Sequence, residues 1–281
     1  MNWVLPAIGA AIVLTVLLDI FRTLAHPGAQ GFLSRTMLES IWRWSHHSQL
    51  TGPLAMLAVI SVWGVLAVLG WALIYWPHVP EGFTSLHTGG TSFIDAIYIS
   101  LVTISTLGFG DVYPASDWLR VVNPLEALFG FAMLTVAVSW VLQVYPALAR
   151  RKALAIRLAL LRRADSVRVI HHFGAAGAAR LLDDLCASVV NVRVDLGDYP
   201  ETYYFRTDEE SDSLAANLGY AVELGNAGGV SGHEEVRHAG DLLLRALDDF
   251  AAMIDAKFLH TGDATSNVLH AYASDHHPSR E

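Results

Sequence analysis

The sequence predicts an all-α membrane protein that continues into a mainly helical soluble region. Three observations predict this. The mean hydropathy is positive, at +0.39. Apolar residues crowd into the first half of the 281-residue chain, in three runs long enough to cross a bilayer. The remainder, Asp165 to Glu281, is strongly acidic, with 20 Asp and Glu against 8 Lys and Arg. A chain of this length accommodates more than one domain. Its single cysteine, Cys186, excludes an intrachain disulfide and any multi-cysteine metal site. The role expected of Cys186 is small-residue packing in a reduced compartment.

The first run, Trp3 to Leu24, marks residues 1–25 as one transmembrane helix. A cleaved signal peptide is the competing reading. The run lacks a basic start and no Ala-x-Ala site follows it, so it reads as a retained helix. Asp19 and Arg22, three apart on one face, read as a local ion pair. No Arg repeats at every third position, which argues against a voltage sensor. In the linker 26–52, the stretch Gly31–His47 sets Phe32, Leu33, Met37, Leu38, Ile41, Trp42 and Trp44 among Arg and His. It reads as an amphipathic helix on the inner membrane face, or as a short buried connector.

The second run, Pro53 to Trp76, would reach roughly 36 Å as a helix, enough to span with some tilt. Pro53 suits a first helical turn, and Trp71 and Trp76 suit an interfacial aromatic belt. The third run is Trp118 to Tyr145. Between them Ser92–Ser105 is apolar but too short to span. Ser92 and Asp95 have the spacing of a capping-box variant. The segment reads as a re-entrant helix, with its negative dipole end aimed at a common centre where a cation is stabilised. Non-helical backbone at that depth is tolerated only where it is buried in protein or lines water.

The non-helical stretch follows at once: Thr103-Ile104-Ser105-Thr106-Leu107-Gly108-Phe109-Gly110-Asp111. Gly108 and Gly110 adopt backbone angles that a Cβ resists. Successive carbonyls aimed at one axis can replace a cation's hydration shell. The Thr106 hydroxyl would add an oxygen ring at the inner end, while Leu107 and Phe109 point away and pack from behind. Thr106–Asp111, reading Thr-Leu-Gly-Phe-Gly-Asp between two apolar runs, resembles the selectivity filter of potassium-channel pore domains. The Gly-Phe-Gly-Asp form is most similar to filters of two-pore-domain channels and small bacterial channels. The likeness covers about Pro53 to Pro146 and not the rest.

What the resemblance implies is a pore domain over 53–146, made of outer helix, re-entrant pore helix, filter and inner helix. One filter strand cannot surround an ion, so the expected assembly is a homotetramer. K+ would bind at Thr106, Leu107, Gly108 and Phe109, with Gly110 completing the filter and Ser105 and Asp111 supporting it. No cofactor is implied beyond the permeant ion. Asp111-Val112-Tyr113-Pro114 continues into an outer turn, and Trp118 and Arg120 open the inner helix. Gly130 falls at the family's hinge glycine, although a packing glycine is equally open. Phe131, Leu134, Val138, Ser139 and Leu142 would line the cavity below. Tyr145-Pro146 would end or kink the inner helix. Some family members carry a carboxylate on the pore helix behind the filter, and the matching residue here is Val102. Glu126, one turn before Gly130, is an intramembrane acid that demands a partner. It reads as a brace on the pore helix or filter, or as an acid near the outer interface.

Basic residues set the orientation. Arg22, Arg35, Arg43 and the cluster Arg150–Arg163 mark the cytoplasmic side, while Pro77–Thr91 contains no Lys or Arg. The filter mouth and the N-terminus are therefore expected outside. A basic helical linker is expected over 147–164, a cytoplasmic helical domain over 165–262 and a disordered tail over 263–281. Within that domain helices are expected near Arg168–Val190, Ser211–Leu224 and His233–Thr261. Gly225–Val230 reads as a loop, Tyr199–Phe205 as a short strand or packing loop, and Asp208–Asp212 as an acidic helix start. The histidine pairs lack His-Glu-x-x-His spacing, and Gly174–Gly177 lacks a nucleotide fingerprint.

The expected function is a potassium-selective channel in the cell membrane. It would be gated by the inner helices or the filter, under a cytoplasmic domain with an unidentified ligand or partner. A weakly selective cation channel and a non-conducting membrane sensor or scaffold are the alternatives. Neither an enzyme nor a nucleic-acid partner is expected.

Overall fold

A computed structural model describes residues 3–25, 31–44, 51–79, 81–85, 92–172, 174–207 and 209–276. The chain divides into two compact units. The first holds α1 (Val4–Ala25), α2 (Phe32–Trp44), all but the start of α3 (Thr51–Tyr75), α4 (Phe93–Ile104) and α5 (Asp117–Arg163) up to Gln143. The helices α1, α3 and α5 are long and apolar enough to cross a membrane. Two short strands, β1 (Phe83–Ser85) and β2 (Val112–Pro114), pair antiparallel with Thr84 opposite Tyr113. This pairing, unannounced by the sequence, ties the chain after the filter motif to the segment after α3.

α1 crosses α3 at two glycines. A Cβ on Gly9 would strike the carbonyl oxygen of Gly70, and one on Gly70 would crowd that of Gly9. Small residues permit such backbone contact where hydrophobicity does not drive helices together. Near the end of α1, Asp19 is buried and accepts four hydrogen bonds. The donors are the backbone amides of Leu33 (2.9 Å) and Ser34 (3.2 Å), the Ser34 hydroxyl (2.7 Å) and the Trp63 indole (2.9 Å). This corrects the expected Asp19–Arg22 pair, since Arg22 is exposed. The first turn of α2 offers unpaired amides and the positive end of a helix dipole, which outcompete an exposed arginine.

α2 buries Ser34, Leu38 and Trp42 along one stripe and exposes Phe32, Arg35, Thr36 and Ser40. Of its other apolar residues Leu33, Met37 and Ile41 are half-buried. Trp63 of α3 also packs on Trp140 of α5, with both rings buried and their centroids 5.6 Å apart. At the other end of α3 a cluster of Ala72, Tyr75, Phe83, Ala96, Ile99 and Leu119 closes around α4 and β1. α4 begins at the capping box read from the sequence: Ser92 Oγ accepts from Ile94 N and Ser92 N donates to Asp95.

α5 is one unbroken helix of 47 residues. It passes through Pro124, Gly130 and Pro146, so Pro146 does not end it, contrary to expectation. A proline removes one backbone bond, and here the next turns are held by packing at Val144, Ala147, Leu154 and Leu158, all buried. The basic stretch is the end of α5 rather than a separate linker.

The second unit contains the rest of α5 from Val144, α6 (Ser166–Val169), α7 (Ala175–Asp198), α8 (Leu214–Gly229), α9 (Glu234–Ile254) and α10 (Thr265–His276). The basic residues of α5 meet the acids that made this half so negative. Arg150 forks onto Asp195 (2.7 and 2.6 Å), Lys152 meets Asp212 (2.5 Å), and Arg157 reaches Asp184 (3.4 Å). Arg151 instead donates to the carbonyls of Thr202 and Phe205. Within Tyr199–Phe205, read as a short strand or packing loop, Pro200–Tyr204 form a 3₁₀ turn with all five residues buried. Gly225–Val230 is not a loop, because α8 runs through Gly229. Its glycines serve contact: a Cβ on Gly225 or Gly228 would strike Leu244 or Leu182, and one on Gly240 of α9 would strike the Gly225 carbonyl.

The expected disordered tail is likewise corrected. α10 buries Val268, Leu269, Tyr272 and His276. It is reached through a tight turn in which Asp255 accepts from the amides of Thr261 and Gly262 and from the Thr261 hydroxyl. Polar composition hid a helix whose buried face has four members. Of the acidic run, Asp208 lies outside the described residues, Glu210–Asp212 form a 3₁₀ turn, and Ser213 caps α8.

Replacing Asp19 by Ala should lower stability by at least about 3 kcal/mol, because four donors lose their acceptor in a buried site. Thermal unfolding in detergent checks this, and an unchanged midpoint contradicts the proposed role of the Asp19 hub.

Candidate ion-conduction site

The site is built where α4 stops. Its last turn holds the following backbone directly: Thr106 N donates to Thr103 O (2.9 Å), and Leu107 N (3.0 Å) and Gly108 N (3.4 Å) both donate to Val102 O. Ser105, expected as a filter support, turns its hydroxyl back to Leu101 O (2.6 Å) and so finishes the helix. From Thr106 onward the backbone alternates. Thr106 (φ 56°), Gly108 (φ 54°) and Gly110 (φ 78°) take positive φ, while Leu107 and Phe109 between them do not. An extended chain of uniform hand points successive carbonyls to opposite sides. Reversing the hand at every second residue lets them project toward one side.

No heavy atom would meet a Cβ at Gly108 or Gly110. Backbone conformation, not crowding, therefore asks for glycine there. Thr106 carries the same conformation with a β-branched side chain, a strained choice of the kind that accumulates at functional sites. Leu107 is 58% and Phe109 65% exposed. Within one chain, then, these two side chains are largely uncovered.

Two sets of contacts support this strand. The Tyr98 hydroxyl on α4 donates to Asp111 (2.6 Å). Val102 cannot supply a carboxylate to this strand, but Tyr98 lies one helical turn earlier on the same face and reaches Asp111 instead. The second set is deeper. Glu126 is fully buried, and its two oxygens accept from Tyr75 of α3 and Ser100 of α4, both at 2.6 Å. Asn123 of α5 donates to Thr103 of α4 (2.9 Å). α3, α4 and α5 are joined by these bonds. Glu126 was singled out from sequence, while Tyr98, Tyr75, Ser100, Thr103 and Asn123 were not. The available signal was the i, i+3 spacing of Ser100 with Thr103 and of Asn123 with Glu126 inside apolar helices.

Gly130 is buried where α5 meets the end of α4. A Cβ there would fall on the Ile104 carbonyl oxygen. Close packing alone accounts for this glycine. The residues expected to line a cavity form an open stripe: Phe131, Leu134, Val138 and Leu142 are all exposed by half or more. Ser139 is half-buried and its hydroxyl bonds Thr135 O (2.9 Å) within the helix. Among the described residues, no group of three or more His, Cys, Asp or Glu is placed to hold a metal ion.

Comparison with known proteins agrees with this geometry. Residues 58–145 match the profile of a family described as ion channel. An uncharacterized membrane protein, YdjJ of Bacillus subtilis (strain 168), is 25% identical over 163 residues, 54% of this chain and 47% of that protein. Two-pore potassium channel 5 of Arabidopsis thaliana is 38% identical over 48 residues, 17% of this chain and 12% of that protein. The chain thus spans less than half the length of these relatives. No solved structure matches it. Residues 58–145 are thus similar to an ion-channel family.

Gly130→Ala should destabilise the protein by about 1–3 kcal/mol through overpacking. Gly64→Ala, whose Cβ meets nothing within 4 Å, should be neutral or slightly stabilising. Equal melting temperatures for the two variants contradict the contact. Glu126→Gln exchanges an acceptor for a donor facing a hydroxyl and should cost about 1–3 kcal/mol. A variant with wild-type stability, selectivity and open probability removes Glu126 from the brace.

Proposed function

We propose that the protein is a potassium-selective channel, a homotetramer in which four copies of Thr106–Gly110 surround one axis. The observation that carries this reading is the alternation of backbone hand at Thr106, Gly108 and Gly110. It suits a strand whose carbonyls replace the water around K+. K+ is the only ligand this reading needs, at Thr106, Leu107, Gly108 and Phe109. The exposure of Leu107 and Phe109, and of the stripe Phe131–Leu142, supports assembly. Irregular backbone and open apolar faces at membrane depth need neighbouring protein or a water-filled pore. Transport is passive, with roughly 2.3 kcal/mol available per charge per 100 mV.

The distribution of Lys and Arg supports a topology with the filter mouth and the start of α1 outside, and with α2 and residues beyond Pro146 in the cytoplasm. In this reading Asp111, Tyr98 and the Glu126 contacts hold the filter. Phe131, Leu134, Val138 and Leu142 line the cavity, Ser139 stands at its edge, and Gly130 fixes the inner helix against the pore helix.

Purified protein in liposomes should pass K+ down its gradient, and reversal potentials should favour K+ over Na+ by 100-fold or more. Gly108→Ala, which forces a Cβ into a positive-φ position, should abolish that preference. Equal permeability to K+ and Na+ in the wild type would establish a weakly selective cation channel. Absence of flux, with a partner retained on residues 165–281, would establish a non-conducting sensor.

A further inference from the structure

We propose that His276 is an acid-sensitive latch holding the C-terminal helix α10 against the 3₁₀ turn Pro200–Tyr204. The latch is a property of this unit alone, and its effect on conduction rests on the channel reading above. His276 is only 7% exposed. Its Nδ1 lies 3.1 Å from Tyr272 O and its Nε2 2.9 Å from Tyr203 O. A neutral ring donates to one of these carbonyls, and an imidazolium could donate to both. The ring also stands edge-on to Tyr203 and Tyr272, at 4.7 and 4.4 Å between centroids.

The charged neighbours decide which form is held. α5 contributes Arg151, fixed by the carbonyls of Thr202 and Phe205. The 3₁₀ turn contributes the Tyr203 hydroxyl, which donates to Asp275, and Arg206 just after it donates to Asp275 O (2.8 Å). α10 itself contributes Tyr272 and Asp275, whose carboxylate is 4.0 Å from Nδ1. From before α8 comes Asp212, already paired with Lys152. Arg151, Asp212, Tyr272 and His276 line one narrow cavity. Protonating His276 would place a second cation beside Arg151 in a space too dry to screen them.

Burial and Arg151 therefore push His276 down to about 4, against the weaker pull of the two carbonyls and Asp275. Once α10 lets go, the ring returns to its ordinary value near 6.5. The released state binds the proton more tightly, so docking is complete above about pH 6.5 and weakens as pH falls toward 4.

Hydrogen–deuterium exchange of the full chain in detergent reads the latch. Corrected for intrinsic chemistry, amides of α10 should exchange roughly 30-fold faster at pH 5 than at pH 7.5. Two variants assign the effect: His276→Gln, which keeps a donor, and His276→Phe, which keeps the ring packing. Whichever of them folds should lose the acid response. Constant protection of wild-type α10 across this range, or an undiminished response in a folded variant, overturns the latch. Liposome flux measured in parallel separates the two readings. An acid-labile α10 with no K+ flux at any pH leaves the latch standing and removes the channel.

Discussion

The structure depends on one constraint: at membrane depth no water is available to satisfy a backbone that has left its helix. In the channel reading the strand after α4 is such a backbone, and the surrounding residues answer it. Val102 O takes two of its amides and Thr103 O a third. The helix that ends there is in turn fixed by Tyr75, Ser100, Asn123 and Glu126, polar groups that satisfy one another in an otherwise apolar setting. Such a network stabilises only when every member is paired, because each loses more on desolvation than a single imperfect contact returns. Capping of α4 at Ser92 belongs to the same logic, since it satisfies backbone amides at the other end of that helix.

The parts of the fold that were legible in the sequence follow from periodicity and punctuation. The first two spans, the short helix between the second and third, and its cap were predicted to within about two residues, whereas the third span was right at its start and ended 18 residues early. The positive-φ glycines at 108 and 110 were legible because glycine at alternate positions has few other uses. What escaped the sequence has a common cause: each missed feature depends on a partner distant along the chain. Asp19 looked destined for Arg22 because a neighbour three residues away is all that a sequence displays, whereas its true donors lie at Leu33, Ser34 and Trp63. Gly225, Gly228 and Gly229 looked like a loop, yet glycine is also what two closely packed helices need. α10 looked disordered because its apolar residues are few, and their value lies in the cleft they fill.

The charge asymmetry of the chain acquires a local meaning. Several acids of the second unit meet the basic end of α5: Asp195 on Arg150, Asp212 on Lys152 and Asp184 on Arg157. These pairs are partly exposed and individually weak. Their contribution is to orient α5 within its unit, while the apolar contacts at Leu154, Ala155 and Leu158 supply the larger share of the adhesion.

The contact between Gly130 and Ile104 has a mechanical consequence. Most helix interfaces are cushioned by side chains, whose rotamers absorb small displacements. Here backbone rests on backbone, with no rotatable bond on the glycine side. Such a joint is stiff in compression. A fraction of an ångström of inward travel by α5 cannot be taken up locally and must move the end of α4 instead. The run of chain from Ile104 to Thr106 is short, so a shift of that helix end is felt at Thr106.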